Sequence, residues 1–189
     1  MSDIIELGTL RPYLGIKADD ESHDTILSTL ISSVSLMIEN ELAWPIIDAA
    51  YSDFEISGTG TSVLYLPAWP VTELSSVEED GVELDEGEDK DFRLIAPRGI
   101  LRKLAGVWSK GVLNIVVSMT AGYKLADVPA DLQFAAMMKI AREWKKMRGQ
   151  MWGEGARTFP DGSIQTDKMD SQFVDAELKI LDLYRRPRL

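Results

Sequence analysis

The stretch Ala121-Gly122-Tyr123, followed by Val128-Pro129-Ala130-Asp131-Leu132, marks where a strand-rich region ends and a long helix begins. Residues 114–119 are rich in apolar and β-branched side chains, which is typical of a strand. Beyond the stretch, apolar residues recur at helical spacing. Pro129 suits the first helical turn because its missing N–H needs no partner there, and Asp131 places a negative charge at the positive end of the helix dipole. The sequence therefore predicts a helix over about 129–148.

Two further helices are predicted near the N-terminus. Residues 9–15 form a short helix closed by Gly15, a residue favoured just beyond helix C-termini. Residues 22–43 form a long helix that ends before Pro45 and is capped by Ser22 or Asp24. Its apolar stripe has the spacing of three and four that buries one helix face, and consists of Ile26, Leu27, Leu30, Ile31, Val34, Met37, Ile38 and Leu42.

Between about residues 50 and 120, short apolar runs alternate with Gly and Pro, which predicts an antiparallel β region. Asp80-Gly81 is a strong hairpin signal because both residues tolerate the positive φ angles of a type I′ turn. Residues 94–101 indicate a second hairpin. The predicted strands cover about 51–57, 62–66, 72–79, 82–85, 91–96, 100–104 and 112–119.

The C-terminal part is predicted to be an extension. Residues 149–162 are rich in Gly and are interrupted by Trp152 and Phe159, which indicates a tethered loop or one that orders on a partner. A final amphipathic helix is predicted over 171–184, with an apolar side of Phe173, Ala176, Ile180, Leu181 and Tyr184. We therefore expect an α+β fold: a small helical bundle with an inserted antiparallel β region in a core of residues 1–148, and a helical extension over 149–189.

The charge is strongly polarised along the chain. The net charge is −11, but residues 1–97 hold 21 acids and 4 bases, whereas residues 98–189 hold 10 acids and 16 bases. Such polarity suits an acidic surface that stacks on the basic surface of another subunit, although an uneven solvated surface is the plainer interpretation.

Few residue patterns in the chain could support catalysis. There is no cysteine, so disulfides, thiolate metal sites and thiol nucleophiles are excluded. The only histidine, His23, begins a helix and is interpreted as a capping or surface residue. Gly58-Thr59-Gly60 lacks a third glycine and a following helix, so it is a turn and not a dinucleotide motif. We expect no enzyme activity, no cofactor and no metal. The first residues show no basic region followed by an apolar run, and no apolar stretch approaches the ~20 residues of a membrane span. We therefore expect a soluble protein without a targeting segment.

Two charged clusters are candidate interaction surfaces. The first is acidic and serves as a channel lining or a solvated face, and comprises Glu78, Glu79, Asp80, Glu83, Asp85, Glu86, Glu88 and Asp89. The second is a basic flank of the 129–148 helix that meets DNA phosphates, the acids of a neighbouring subunit or only solvent, and comprises Lys139, Arg142, Lys145, Lys146 and Arg148.

The order and spacing of several short segments resemble the head-tail connector family of tailed bacteriophages, also called adaptor or head completion proteins. The resemblance covers about residues 9–148. It rests on residues 10–16 with Asp19-Asp20, the helix segments 30–34 and 38–42, residues 64–66 with Pro70-Val71, Val77 with residues 80–84, Trp108 with Gly111, the strand end 121–123, and residues 128–132 with Ala135, Ala136 and Trp144. The strand-rich middle and the extension after Gly149 are longer than in the shortest members.

The resemblance implies a structural virion protein without catalysis, made in the host cytoplasm and located at the head-tail interface. It implies a ring, of twelve subunits in the virion, that lies beneath the portal protein, receives a stopper or tail-completion protein and extends a channel for double-stranded DNA without reading its sequence. C-terminal segments of such proteins often reach the portal, so we expect portal contacts from Phe173, Ile180, Leu181, Tyr184, Arg185 and Arg186.

Two alternatives remain open at this stage. A tail-completion or tail-terminator ring protein would be equally poor in chemistry but richer in β structure. A metal-dependent hydrolase could use the clustered acids. This alternative is weak, because the chain has one histidine and no organised motif of acidic residues.

Overall fold

The computed structural model describes residues 3–148, 155–158, 164–167 and 173–185. The chain forms two compact units, one from residues 1–43 and 129–189 and the other from residues 44–128. The first is mainly helical and the second consists of strands, which confirms an α+β fold with an inserted β region. The C-terminal helix belongs to the helical unit because it packs on the helix that precedes the Gly-rich segment. The units therefore divide the chain differently from the predicted boundary after residue 148.

The described residues of the helical unit form four helices that share one apolar core. They are α1 (Leu7–Tyr13), α2 (Asp24–Leu42), α3 (Ala130–Arg148) and α4 (Asp175–Asp182). Each is close to its predicted range, although α4 is shorter at both ends than the predicted 171–184. Burying each aliphatic side chain stabilises the fold by about 1.5–3 kcal/mol before entropy is counted. The core includes Leu10, Leu27, Ile31, Val34, Ile38, Leu132, Ala136, Ile140 and Leu181.

Gly15 closes helix α1, as predicted, two residues after the last helical residue, Tyr13. Gly15 has a φ of 71°, and its N–H donates to the carbonyl of Pro12 at 3.1 Å. The next N–H, of Ile16, reaches back to the carbonyl of Arg11 at 2.9 Å. These two bonds form a Schellman motif, which needs a residue that tolerates positive φ.

The predicted cap of α2 is wrong. His23 occupies the N-cap position and its side chain makes no capping hydrogen bond. Asp24 is instead bound by the guanidinium of Arg11, whose Nε lies 3.0 Å from Oδ1, and the Ser22 hydroxyl donates to Asp20 at 2.6 Å. One member of the predicted apolar stripe of α2, Ile26, is exposed and does not join the core.

The β unit contains two antiparallel sheets whose strands follow the predicted ranges closely. The first sheet has the order β1-β7-β3-β4 and the second has the order β2-β6-β5. The strands are β1 (Ala49–Ile56), β2 (Val63–Tyr65), β3 (Val71–Glu79), β4 (Val82–Glu83), β5 (Phe92–Ile95), β6 (Ile100–Lys103) and β7 (Ile115–Ala121).

The two hairpins form where their turn residues predict them. Asp80 and Gly81 have φ angles of 52° and 79°, which agrees with a type I′ turn between β3 and β4. Strands β5 and β6 are joined by a short 3-10 turn over residues 96–98 and by Gly99, which has a φ of 57°. Strand β7 is the central strand and alternates between buried and half-buried positions, as expected when a sheet covers a core on one face.

The β unit is closed where the chain enters and leaves it. Ile47 forms a parallel bridge with Tyr123, and the Tyr123 N–H donates to the carbonyl of Ile46 at 2.8 Å. The Asp48 N–H donates to the carbonyl of Tyr123 at 2.9 Å. Gly122 makes this approach possible, because a Cβ there would lie 2.7 Å from the Asp48 backbone and its φ is 117°. We call this junction the base of the β unit.

The segment between α3 and α4 contains a short antiparallel strand pair. Strands β8 (Gly155–Thr158) and β9 (Ile164–Asp167) pair with Ala156 opposite Thr166. The sequence predicts a loop over 149–162, so β8 was not foreseen. The interrupting aromatic residues Trp152 and Phe159 lie outside the described residues.

Replacing Gly58 by alanine should destabilise the β unit. A Cβ there would lie 1.8 Å from the carbonyl oxygen of Ser109, so backbone must move. We expect a loss of about 2–4 kcal/mol of unfolding free energy, measured by urea denaturation. The matched control is Gly8→Ala in α1, where no atom lies within 4 Å of the added Cβ, and where alanine should stabilise the helix by up to about 1 kcal/mol. Equal unfolding free energies for the two variants would contradict the close contact between Gly58 and the Ser109 carbonyl.

Candidate functional site

The acidic cluster lies mainly at the β3–β4 hairpin and the loop that follows it. Asp80, Glu83, Asp85, Glu86, Glu88 and Asp89 are exposed, and Glu78 is half-buried. Several of these carboxylates have local partners: Asp85 binds Lys90 at 2.9 Å, and Glu86 accepts the N–H of Leu94 at 3.2 Å. Most of the cluster is thus a solvated surface.

Glu79 differs from the rest of the acidic cluster because it is buried. Its carboxylate binds the ammonium of Lys103 and accepts the backbone N–H of Ser109. Burial opposes ionisation of Glu79, but Lys103 and the Ser109 N–H outweigh it, so its pKa lies below the ordinary value. Glu79 therefore joins β3 to β6 and to the following loop, and it does not belong to an exposed lining.

Residues 104–114 form a loop that presents apolar side chains to solvent. Trp108 is fully buried at its centre, whereas Val107 and Val112 are 53% and 86% exposed. Leu113 is 51% exposed and has a φ of 50°, an unfavourable conformation for a large side chain. The sequence predicts a strand over 112–119, but pairing starts only at Ile115. The turn-forming residues on both sides of Val112-Leu113, Gly111 and Asn114, are the signal that could have revealed the loop.

Asn114 fixes the shape of this loop. Its side-chain oxygen accepts the N–H of Gly58 at 2.9 Å, and its side-chain nitrogen donates to the carbonyl of Ser109 and to Asp80, both at 3.2 Å. The Asp80 N–H in turn donates to the Asn114 carbonyl at 2.8 Å. These hydrogen bonds hold the hairpin turn and the 104–114 loop together. The backbone that carries the exposed apolar side chains is therefore fixed.

The basic flank of α3 is divided between two surroundings. Lys139 is fully buried, with its ammonium 2.9 Å from Glu143, and Lys146 binds the same carboxylate at 3.1 Å. Arg142 pairs with the buried Glu177 of α4 at 2.8 Å. These three cations are engaged within the helical unit. The other two, Lys145 and Arg148, are exposed, so they are the ones to which the predicted contact with a neighbour applies.

The Arg142–Glu177 pair holds α4 against α3. Both carboxylate oxygens of Glu177 accept from the guanidinium, at 2.8 and 2.9 Å, and Oε2 also accepts the Val174 N–H at 3.0 Å. A buried charge needs such a full set of partners. The predicted apolar side of α4 is therefore partly ionic, and its member Ala176 is exposed.

The residues predicted to contact a portal are also unequal in exposure. Leu181 is fully buried in the helical core, so it is not accessible to another protein in this conformation. Phe173, Ile180 and Tyr184 are half-buried, and the Tyr184 hydroxyl donates to Asp131 at 2.6 Å. Arg185 is exposed and pairs with Glu41 and Asp182. Arg186 lies outside the described residues.

His23 packs on an aromatic ring. Its ring centroid lies 5.1 Å from that of Trp144, in an edge arrangement. Among the described residues no group of three or more His, Cys, Asp or Glu side chains is arranged to hold a metal ion. In the same part of the chain, no helix has both the length and the apolar character of a membrane span.

The Glu79→Gln variant should be less stable than the wild type in a pH-dependent way. Losing the partner of Lys103 should cost about 2 kcal/mol at pH 7. Because the pKa of Glu79 is depressed, its contribution is complete above its ordinary value of 4.5 and is lost as pH falls through the lower folded value. Thermal unfolding at several pH values should show the two proteins converging below pH 4.5. The exposed control Glu83→Gln should match the wild type, and a difference for Glu79→Gln that persists in acid would contradict the ionic account.

The chain matches known proteins at the level of family and of fold. The family model described as head completion protein matches residues 3–187. The fold is similar to a chain in the neck of an empty gene transfer agent particle computed with C6 symmetry, with a TM-score of 0.56 and 17% identity over 98% of this chain and 91% of that chain. A chain of the native gene transfer agent virion gives a TM-score of 0.53 and 18% identity, over 100% and 96%.

A third structure, the neck of the native particle computed with C12 symmetry, gives a TM-score of 0.50 and 16% identity, over 100% of this chain and 96% of that chain. At such identities the likeness shows a shared fold. No curated protein matches the chain significantly.

Proposed function

The chain belongs to the head completion protein family, and we propose that it is a head-tail connector that forms a ring beneath the portal, extends the DNA channel and receives a stopper or tail-completion protein. The observation that carries the proposal is the family match over residues 3–187, nearly the whole chain. The likeness in fold to chains from neck structures computed with C6 and C12 symmetry supports a ring, which we propose has twelve subunits in the virion.

The surface of the protein is suited to assembly. A ring closes only when each subunit presents two different, complementary surfaces. The described residues offer both signs of charge: the exposed acids of the β3–β4 hairpin in the β unit and the exposed Lys145 and Arg148 in the helical unit. We propose that contacts between neighbouring subunits use this difference, and that the accessible C-terminal residues Phe173, Ile180 and Arg185 contribute to the portal contact.

The oligomeric mass tests the main proposal. Light scattering should be measured on the purified chain alone and after mixing with its cognate portal protein. We expect a ring, or a defined complex with the portal. A ring that does not bind the portal protein but binds tail tubes would favour the tail-completion alternative. A stable monomer with no affinity for either would refute the connector proposal.

The channel proposal concerns the exposed acids. Carboxylates around a channel repel DNA phosphates, so DNA passes without being held. Glu83, Glu88 and Asp89 are exposed, whereas Glu79 is excluded by its structural role.

Particles that carry Glu83→Gln, Glu88→Gln and Asp89→Asn should eject DNA more slowly, and the delay should shrink as salt is raised, because the acids no longer repel phosphate. DNA release from purified particles, followed by an intercalating dye, gives the rate. The control is a particle with Glu6→Gln, an exposed acid of the helical unit. Unchanged ejection in the triple variant would exclude these acids from the lining.

A further inference from the structure

Four exposed apolar residues each lie within two residues of Asp80, Ser109 or Asn114, which hydrogen bonds join to one another in the β unit. Monomeric proteins rarely expose grouped apolar side chains without a functional reason. They are Val107, Val112 and Leu113 in the 104–114 loop and Val82 beside the type I′ turn, and all four are more than half exposed. The bonds between Asp80 and Asn114 tie the turn to the loop. We call Val82, Val107, Val112 and Leu113 the apolar tip.

The apolar tip is ordered by contacts within the β unit, without a partner. Glu79 and Asn114 hold the loop through hydrogen bonds from Ser109 and Gly58, and Trp108 of the loop is fully buried. The left-handed conformation of Leu113 is unfavourable for a leucine, and its N–H donates to the Ser57 hydroxyl at 3.1 Å in this conformation. A surface that is already ordered loses little entropy on binding, which favours association.

The helical unit carries a surface of complementary character. Phe134, Met138, Ala141, Lys145 and Arg148 follow one another on α3 at spacings of four and three, so they share one helix face. This outer face of α3 lies opposite the buried residues of the helix. Phe134 is 44% exposed and Met138 and Ala141 are half-buried, so the first part of the face is apolar. Lys145 and Arg148 make its last turn basic, and both are exposed, with the Arg148 guanidinium 5.9 Å from the centroid of the Trp144 ring.

We propose that the apolar tip of one subunit docks on the outer face of α3 of a second copy of this chain. Charge favours the pairing, because the tip is flanked by two exposed acids, Asp80 and Glu83, against one exposed base, Lys110, whereas the face ends in Lys145 and Arg148. The two surfaces differ, so the contact is heterologous and repeats around a closed ring. This inference rests on the proposed ring and identifies the residues that close it.

Substitutions on either surface should prevent assembly while leaving the fold intact. Val112→Asp with Leu113→Asn changes only exposed side chains, and asparagine tolerates positive φ better than leucine. Phe134→Ser with Lys145→Glu alters the outer face of α3. We expect each variant to self-associate at least about thirtyfold more weakly than the wild type, as for hot-spot residues. The control is Leu183→Asp, since this leucine directly follows α4, is 74% exposed and lies in neither surface.

The absence of cysteine allows a direct test of which surfaces touch. A Val112→Cys protein and a tagged Met138→Cys protein are mixed under the conditions in which the wild type assembles, alone or on the portal, and are treated with a short bismaleimide. We expect a mixed covalent dimer. Val112→Cys mixed with Leu183→Cys should give none.

The outcomes separate this inference from the proposed function. If the wild type forms rings and the variant Val112→Asp, Leu113→Asn does so equally well, the docking inference is wrong while the ring remains. A variant ring that only fails to bind the portal would also overturn it, because the tip would then serve another protein. If the wild type forms no ring even with the portal, the proposed function fails and the docking inference fails with it.

Discussion

The β unit depends on the hydrogen bonds that join its entry and exit segments. Ile46 and Asp48 both bond to Tyr123, and Gly122 lets the two backbones approach. Trp44 stacks on Trp69 at 4.2 Å and contacts Tyr123 at 6.4 Å, so aromatic packing covers the same place. Because both ends of an 85-residue insertion meet there, the helical unit can be completed by residues that are far apart in sequence. Helices α2 and α3 pack together although the whole β unit separates them along the chain.

The sequence predicts those turns, helix ends and element ranges that depend on residue type and on the local pattern of apolar residues. Asp80-Gly81 and Gly15 adopt the turn and the helix end that their residue types favour, since positive φ is costly for most other residues. The helices and strands fall close to their predicted ranges because apolar periodicity reports which face is buried. The Ala121–Tyr123 stretch likewise marks the change from strand to helix.

The roles of single charged residues could not be predicted in this way. Lys139 and Glu79 belong to charged runs that look solvated in sequence, yet both are buried. The partners of Glu79 and of Arg142 are distant in sequence and are brought close only by the tertiary fold. Glu79 pairs with Lys103 across 24 residues, and Arg142 pairs with Glu177 across 35 residues. Charge counts along a chain therefore describe the candidate surfaces only after the internally paired groups have been removed. The same applies to Val112 and Leu113, whose exposure follows from the bonds of Asn114 and not from their hydropathy.

A closed base also affects how such a protein can change over time. When both ends of an insertion are fixed beside each other, the chain between them can lengthen, shorten or acquire new loops, and the host unit experiences almost no change in chain entropy. The β unit is thus a cassette whose length can change without opening the helical frame around it. Lineages that must adapt one connector to different capsids and tails could vary the cassette alone, and the frame would keep its own packing while they do so.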